Sequence, residues 1–243
     1  MKKPFAFALH ALLALAGAAQ AQLHNNGEVA NGAGLSIITL PNTTAGFNAD
    51  SAKGSAVADN FTVGAGLSWQ VTGLDFFVFQ NLASVFAFQS VSWSVVAGDV
   101  NAGAVVASGT TPVANGGLIG YRVAANNLTD TSRPIYRAKA DVADFALGAG
   151  AYWLRWSLLG DAALIGPVQA PTSHGAVGNA QFAFNAPFAQ ALDAGSGLGM
   201  EWPFIIEGTV NAVPEPSTYA LLLAGGVLVC AVARRRRGAR ALS

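Results

Sequence analysis

The middle of the chain consists of short apolar runs separated by glycine, asparagine and serine, and this pattern constrains its fold more than any other feature. Residues 91–95 (VSWSV) alternate apolar and polar side chains, as a half-buried strand does. Residues 152–158 (YWLRWSL) also place four apolar side chains on one face. Residues 76–79 (FFVF) are continuously apolar, which predicts a strand covered on both faces. Further strand candidates are residues 204–210 and, more weakly, 35–40, 60–63, 104–107, 118–123 and 135–144.

The fold class follows from the strand-like pattern of these runs and from the turn-forming residues between them. No segment of the middle has a helical pattern of comparable strength, and the connections are rich in turn-forming residues. Many short strands without alternating helices favour an antiparallel architecture over a doubly wound α/β fold. We therefore predict an all-β chain, a single antiparallel β-sandwich for which a jelly-roll-like arrangement is one form.

The charge distribution argues against a nucleic-acid partner. Only 11% of the residues are charged, and residues 22–213 contain six basic against twelve acidic side chains. Binding to a phosphate backbone needs clustered Lys and Arg, which this acidic middle lacks. The single cysteine, Cys230, lies near the C-terminus, so the middle can form neither an internal disulfide nor a thiolate metal site. We predict no metal and no cofactor.

The N-terminal 21 residues have the pattern of a secretory signal peptide. A basic start, Lys2 and Lys3, precedes a largely apolar stretch, and the small residues Ala19 and Ala21 suit signal peptidase. The pattern predicts cleavage between Ala21 and Gln22, with the secretory translocon and signal peptidase as partners. The alternative, an N-terminal membrane helix, is disfavoured because the apolar stretch is shorter than the roughly 20 residues that a bilayer requires.

The C-terminal residues 213–243 combine three elements in a fixed order. The first is a motif that consists of Val213, Pro214, Glu215, Pro216, Ser217 and Thr218. The second is the uncharged apolar segment 219–233, which would span about 22 Å as a helix. The third is a basic end at residues 234–240 that begins with Arg234, Arg235, Arg236 and Arg237. Two prolines keep the first element extended, and the positive-inside rule keeps the arginines cytoplasmic and the main domain outside.

These three elements resemble the PEP-CTERM sorting signal of Gram-negative bacteria. The resemblance implies recognition and processing by an inner-membrane exosortase, a membrane protease. It also implies transient anchoring through the C-terminal helix, a final place in the cell envelope or outside the cell, and an association with extracellular polysaccharide and biofilm. The alternative is a plain C-terminal anchor. A looser resemblance to mature domains of PEP-CTERM proteins covers residues 59–63, 69–77, 91–95 and 148–154 and implies no catalytic residue.

No motif of the middle predicts catalysis. His24 and His174 are its only histidines, and no G-x-S-x-G elbow accompanies them. Residues 99–103 (DVNAG) begin like a calcium loop, but Thr110 stands where the loop needs glutamate, so we interpret them as a hairpin turn. Residues 195–199 (GSGLG) lack the flanking strand and helix of a nucleotide-binding loop and are interpreted as a flexible connection.

The tryptophans raise the question of a carbohydrate ligand. Trp93 and Trp156 share faces with apolar neighbours and are predicted to be core residues. Trp153, beside Arg155 on the opposite face, is the better candidate for a ligand-facing aromatic residue. We therefore predict that residues 22–212 form an exported, non-enzymatic structural or interaction domain. The alternatives are a carbohydrate-binding module and a polysaccharide hydrolase, which would need two carboxylates facing one cleft.

Overall fold

The computed structural model describes residues 21–172 and 177–213, and this part of the chain contains thirteen strands and one short 3-10 helix. The strands are β1 (Ala21–Asn25), β2 (Leu35–Ile38), β3 (Phe47–Asn48), β4 (Ser55–Val63), β5 (Leu67–Asn81), β6 (Ser90–Ala97), β7 (Ala104–Ala124), β8 (Pro134–Leu147), β9 (Gly150–Leu159), β10 (Ile165–Gln169), β11 (Gln181–Phe184), β12 (Ala189–Gln190) and β13 (Phe204–Ala212). The 3-10 helix is Ser51–Lys53. No helix in the described ranges is long and apolar enough to cross a membrane. All of the predicted signal peptide except Ala21, and the predicted C-terminal helix, lie outside these ranges.

The strands form two sheets that share β7. In the first sheet the order is β1-β13-β5-β8-β7, and β10 also pairs with β5. In the second sheet the order is β7-β6-β9-β4-β11-β12. The register of β7 against β8 shifts between Asn115 and Leu118. Gly117 lies in this shift and has a φ of +105°, a backbone conformation that residues other than glycine rarely adopt. β7 changes sheets before this shift, between Pro112, which pairs with Ser90 of β6, and Val113, which pairs with Ala140 of β8.

The main core lies between the two sheets. Phe76 of β5 packs on Trp156 of β9 with ring centroids 5.4 Å apart. Trp93 of β6 stacks on Phe145 of β8, also at 5.4 Å. These contacts join strands of opposite sheets, so the apolar faces of the two layers meet as in a sandwich.

A second, smaller core covers the other face of the first sheet. Phe77, Phe79 and Ile135 are buried there with Val29 and Ala30 of the β1–β2 connection. Phe76 and Val78 point into the main core, so β5 is covered on both faces. The prediction made from the continuous apolar run at residues 76–79 is therefore confirmed.

The all-β, antiparallel prediction is confirmed for the described residues, with one exception and several additions. The exception is β2, which pairs with β7 in parallel. The predicted strands 104–107 and 118–123 belong to one 21-residue strand, β7. The prediction of two separate strands there was wrong. Five short strands were not predicted, namely β1, β3, β10, β11 and β12. The strongest predicted segments lie within β5, β6, β9 and β13.

Candidate functional site

The last strand carries the chain directly to the predicted sorting motif. β13 lies between β1 and β5, with Ala212 opposite Leu67. The next residue, Val213, is 50% exposed, and its backbone N–H donates to the carbonyl oxygen of Gly66 at 2.8 Å. Gly66 belongs to the β4–β5 turn. The described structure thus ends at the point where the motif begins, and the first motif residue is held against that turn.

Comparison with known families decides what this segment is. Residues 212–237 match the model of the PEP-CTERM protein-sorting motif. The chain carries a PEP-CTERM sorting motif. The resemblance predicted from the residues is therefore confirmed, and it marks an exported protein that is recognised by an exosortase, a membrane protease. No curated protein matches the chain.

The PEP-CTERM motif itself continues beyond the described residues. Val213 is the only one of its six predicted residues in the described part, and Arg234 to Arg237 lie outside it. At the other end, Ala19 also lies outside, whereas Ala21 and Gln22 are exposed in β1. Gln22 pairs with Glu207, and Ala21 pairs with Gly208. The predicted signal-peptidase bond thus belongs to a strand that pairs with the strand preceding the sorting motif.

Trp153 lies in β9, opposite Asn60 of β4 and Val96 of β6. It is half-buried, whereas Trp69, Trp93, Trp156 and Trp202 are buried. Trp156 donates its indole N–H to Gln169 at 3.0 Å, and Trp202 donates to the carbonyl oxygen of Gln181 at 3.1 Å. Four of the five tryptophans are therefore occupied by packing and internal hydrogen bonds.

A pair of carboxylates meets at Asn26, just after β1. The Asn26 side-chain amide donates to Asp59 at 3.1 Å and to Glu201 at 3.0 Å. Asp59 is fully buried and also accepts the backbone N–H groups of Trp202, at 2.7 Å, and Asn60, at 2.8 Å. Burial, and secondly the Glu201 charge, raise the pKa of Asp59 to about 8 in spite of these donors. Burial also raises the pKa of Glu201.

His24 adjoins this carboxylate pair. Its ring lies 5.1 Å from the Phe204 ring and 5.9 Å from the Phe61 ring, and Nε2 is 3.3 Å from the Asn26 side-chain oxygen. Burial lowers the pKa of His24. The histidine therefore packs as an aromatic residue at the edge of the core. His174 lies outside the described residues.

A second acidic pair lies on β5 and β13. Arg137 donates to both Asp75 and Glu207, and Lys139 forms ion pairs with the same two carboxylates at 3.6 and 3.1 Å. Asp75 is buried, and burial raises its pKa although Arg137 and Lys139 oppose this. The network fixes the register of β13, β5 and β8, because each of the three strands contributes to it.

A third polar group surrounds a small cavity near β2. Arg122 is buried and donates to the carbonyl oxygens of Ala45, at 2.8 Å, and Thr44, at 2.9 Å, and to the Ser36 hydroxyl at 3.1 Å. Burial lowers the pKa of Arg122 to about 10. The cavity has about 70 Å³ and is also lined by Asp193 and Glu201. This is room for a few water molecules, whereas ligand pockets measure roughly 300 Å³ or more.

The two loop motifs have structural roles. Asp99 accepts the backbone N–H groups of Asn101 and Ala102 at 2.8 and 2.7 Å, which closes the β6–β7 turn. Asp193 accepts three hydrogen bonds from Gly195 and Ser196, which orders the glycine-rich segment that follows it. The described residues contain no cluster of three or more His, Cys, Asp or Glu that could hold a metal ion. The hairpin interpretation of residues 99–103 agrees with this geometry, whereas 195–199 is more ordered than a flexible connection.

Proposed function

We propose that this chain is an exported cell-envelope or extracellular-matrix protein of a Gram-negative bacterium, with a non-catalytic structural or interaction domain. Its PEP-CTERM segment delivers the β domain to the inner membrane, where the apolar segment 219–233 holds it until the exosortase processes the tail. The mature domain then acts outside the inner membrane, and extracellular polysaccharide is its proposed partner.

One observation carries this proposal. The sorting-motif match begins at residue 212, which is also the last residue of β13. A cut after Val213 would leave every described strand intact. Pro214 and Pro216 disfavour regular structure beyond that point, so a protease can bind the segment in extended form. The arrangement suits a folded cargo that is released from its sorting tail.

The non-catalytic part of the proposal is supported by the surroundings of the acidic residues. A glycosidase needs two carboxyl groups that flank a sugar in an accessible cleft. In the Asp59–Glu201 pair, Asp59 is inaccessible and accepts three internal N–H groups. In the Asp75–Glu207 pair, Asp75 is equally inaccessible and bound to Arg137. Neither pair can place both carboxyl groups against a substrate.

The proposal is tested by the intact mass of the protein recovered from the envelope and from the medium of its host. The comparison is between the wild type and a Glu215→Ala, Pro216→Ala variant, with Ser243→Ala as a matched control far from the motif. We expect the wild type and the control to lose both ends, and the variant to keep its tail in the membrane fraction. A full-length tail in all three proteins would refute processing and leave a simple anchored domain.

A further inference from the structure

The two ends of the described chain leave the fold at the same end of the first sheet. β13 runs towards Ala212, and β5 runs away from it, because Ala212 pairs with Leu67 and Phe204 with Phe76. β1 is antiparallel to β13, with Ala21 opposite Gly208 and Asn25 opposite Ile205. The start of β1 and the end of β13 therefore point in one direction. We call this end of the domain, with the turns 64–66 and 148–149, the tail end.

The two turns belong to this end by their strand register. The β4–β5 turn accepts the Val213 N–H through Gly66. The β8–β9 turn adjoins it because Trp69 pairs with Leu147 and Val63 pairs with Gly150. Both turns contain only glycine and alanine, and Ala65 and Ala149 are exposed. These two turns carry no acidic side chain, whereas the β6–β7 turn, whose Gly98 N–H donates to the carbonyl oxygen of Ala151 at the same end, carries the exposed Asp99.

The opposite end of the domain lies far away along the same strands. β5 has 15 residues, which corresponds to a length of about 50 Å. At its far end Gln80 donates to the carbonyl oxygen of Asp161 at 3.0 Å, so the β9–β10 loop is fixed there. Ala162 in that loop is exposed. The six residues from Val213 to Thr218 can span at most about 20 Å between the domain and the apolar segment.

We propose that the tethered protein stands end-on to the membrane, with the β4–β5 and β8–β9 turns facing the lipid surface and the β9–β10 loop directed away from it. The inference rests on the proposed function, because it requires the apolar segment to lie in the membrane. The short tether keeps the tail end within about 20 Å of the lipid, which is less than half the length of β5. Before signal cleavage, the N-terminal leader is a second connection at the same end.

The orientation is measured by Förster transfer from a dye on the domain to acceptor-labelled lipid headgroups. The protein is the full-length Glu215→Ala, Pro216→Ala variant, recovered from membranes and reconstituted into phosphatidylethanolamine–phosphatidylglycerol vesicles. Cys230→Ala removes the native thiol, and single dyes are placed with Ala65→Cys, Ala149→Cys or Ala162→Cys, which are matched exposed alanines. Thermal unfolding of each variant verifies that the domain is folded.

We expect at least twofold higher transfer from the dyes at residues 65 and 149 than from the dye at 162. A Gly/Ser insertion between Thr218 and Tyr219 should reduce this difference, because it lengthens the tether. Equal transfer from all three sites, in protein that floats with the vesicles, would overturn the end-on orientation and leave the anchoring intact. Protein that does not float would overturn the anchoring itself, and the orientation with it.

Discussion

Substitution of Glu201 by glutamine should flatten the dependence of stability on pH above neutrality. The reason is the buried carboxyl group of Asp59, whose pKa is raised to about 8 in the folded protein by burial and by the charge of Glu201. In the unfolded chain the Asp59 carboxyl has its ordinary pKa near 3.9. Its contribution to stability is therefore complete below about pH 4 and is lost as pH rises to about 8. Glu201→Gln removes the neighbouring charge and keeps an oxygen that can accept from Asn26.

The magnitude follows from linkage. Above pH 6.5 the unfolded Asp59 stays ionised while the folded one loses its proton around pH 8, so the stability decreases by nearly 1.4 kcal/mol per pH unit at pH 6.5 and by about half of that at pH 8. The total loss up to pH 9 is roughly 2 kcal/mol for the wild type. Measurements begin at pH 6.5 because His24, whose pKa is lowered by burial, acts in the opposite direction below that pH. In the variant the pKa of Asp59 lies lower, so part of this loss has already occurred by pH 6.5.

The assay is urea unfolding of residues 22–213, followed by tryptophan fluorescence at half-unit steps from pH 6.5 to 9. The Trp202 and Trp156 rings are buried, so their emission reports unfolding. We expect a smaller decrease in the unfolding free energy for Glu201→Gln than for the wild type. Glu28→Gln, which replaces an exposed acidic residue, is the control and should keep the wild-type slope. A flat wild-type profile, or identical slopes in wild type and variant, would refute the reasoning.

Three further predictions concern packing and register, each measured as the urea unfolding free energy at pH 7. Phe76→Ala should cost about 4 kcal/mol, because it empties the centre of the main core; a loss below that of a typical surface substitution would contradict the two-layer packing. Gly208→Ala should lower the unfolding free energy by about 2 kcal/mol, because the new Cβ would clash with a backbone carbonyl of β5. Gly64→Ala is the control: its Cβ meets only ordinary contacts, so the unfolding free energy should hardly change. Arg137→Met should cost about 3 kcal/mol because it removes the closest partner of the buried Asp75 carboxylate. An Arg137→Met, Asp75→Asn double variant should recover part of that loss, and no recovery would argue against the pair.

The strands that could be predicted from sequence are those whose pattern is complete within a few residues. Residues 91–95 alternate regularly and lie in β6, and residues 76–79 form a run that only a doubly covered strand accommodates. The short strands could not be predicted because these residues form strands only through hydrogen bonds to strands that are distant in sequence. β10 contains Gly166 and Pro167, which normally interrupt strands, yet it pairs with both β3 and β5. Among the strands that the structure describes, β1 pairs with the distant β13 alone.

The functional residues also fall into two groups, those that a local sequence pattern marks and those that only the fold brings together. The PEP-CTERM motif is a linear signal, so its residues are adjacent in sequence and could be recognised there. The carboxylate pair at Asn26 joins side chains that are 33 and 175 residues away from it. No local pattern marks Asp59 as buried or Glu201 as its neighbour.

The position of β13 connects folding to sorting. β1 is synthesised first and pairs with β13, which is the last strand before the sorting motif. β13 lies between β1 and β5, so β1 can join the first sheet only after β13, the last strand of the domain, has been synthesised. Such a pairing between distant strands forms late, because the loop-closure entropy must be offset by contacts already made. Because β13 ends at Ala212, where the sorting-motif match begins, completion of the first sheet requires the chain up to the start of that motif.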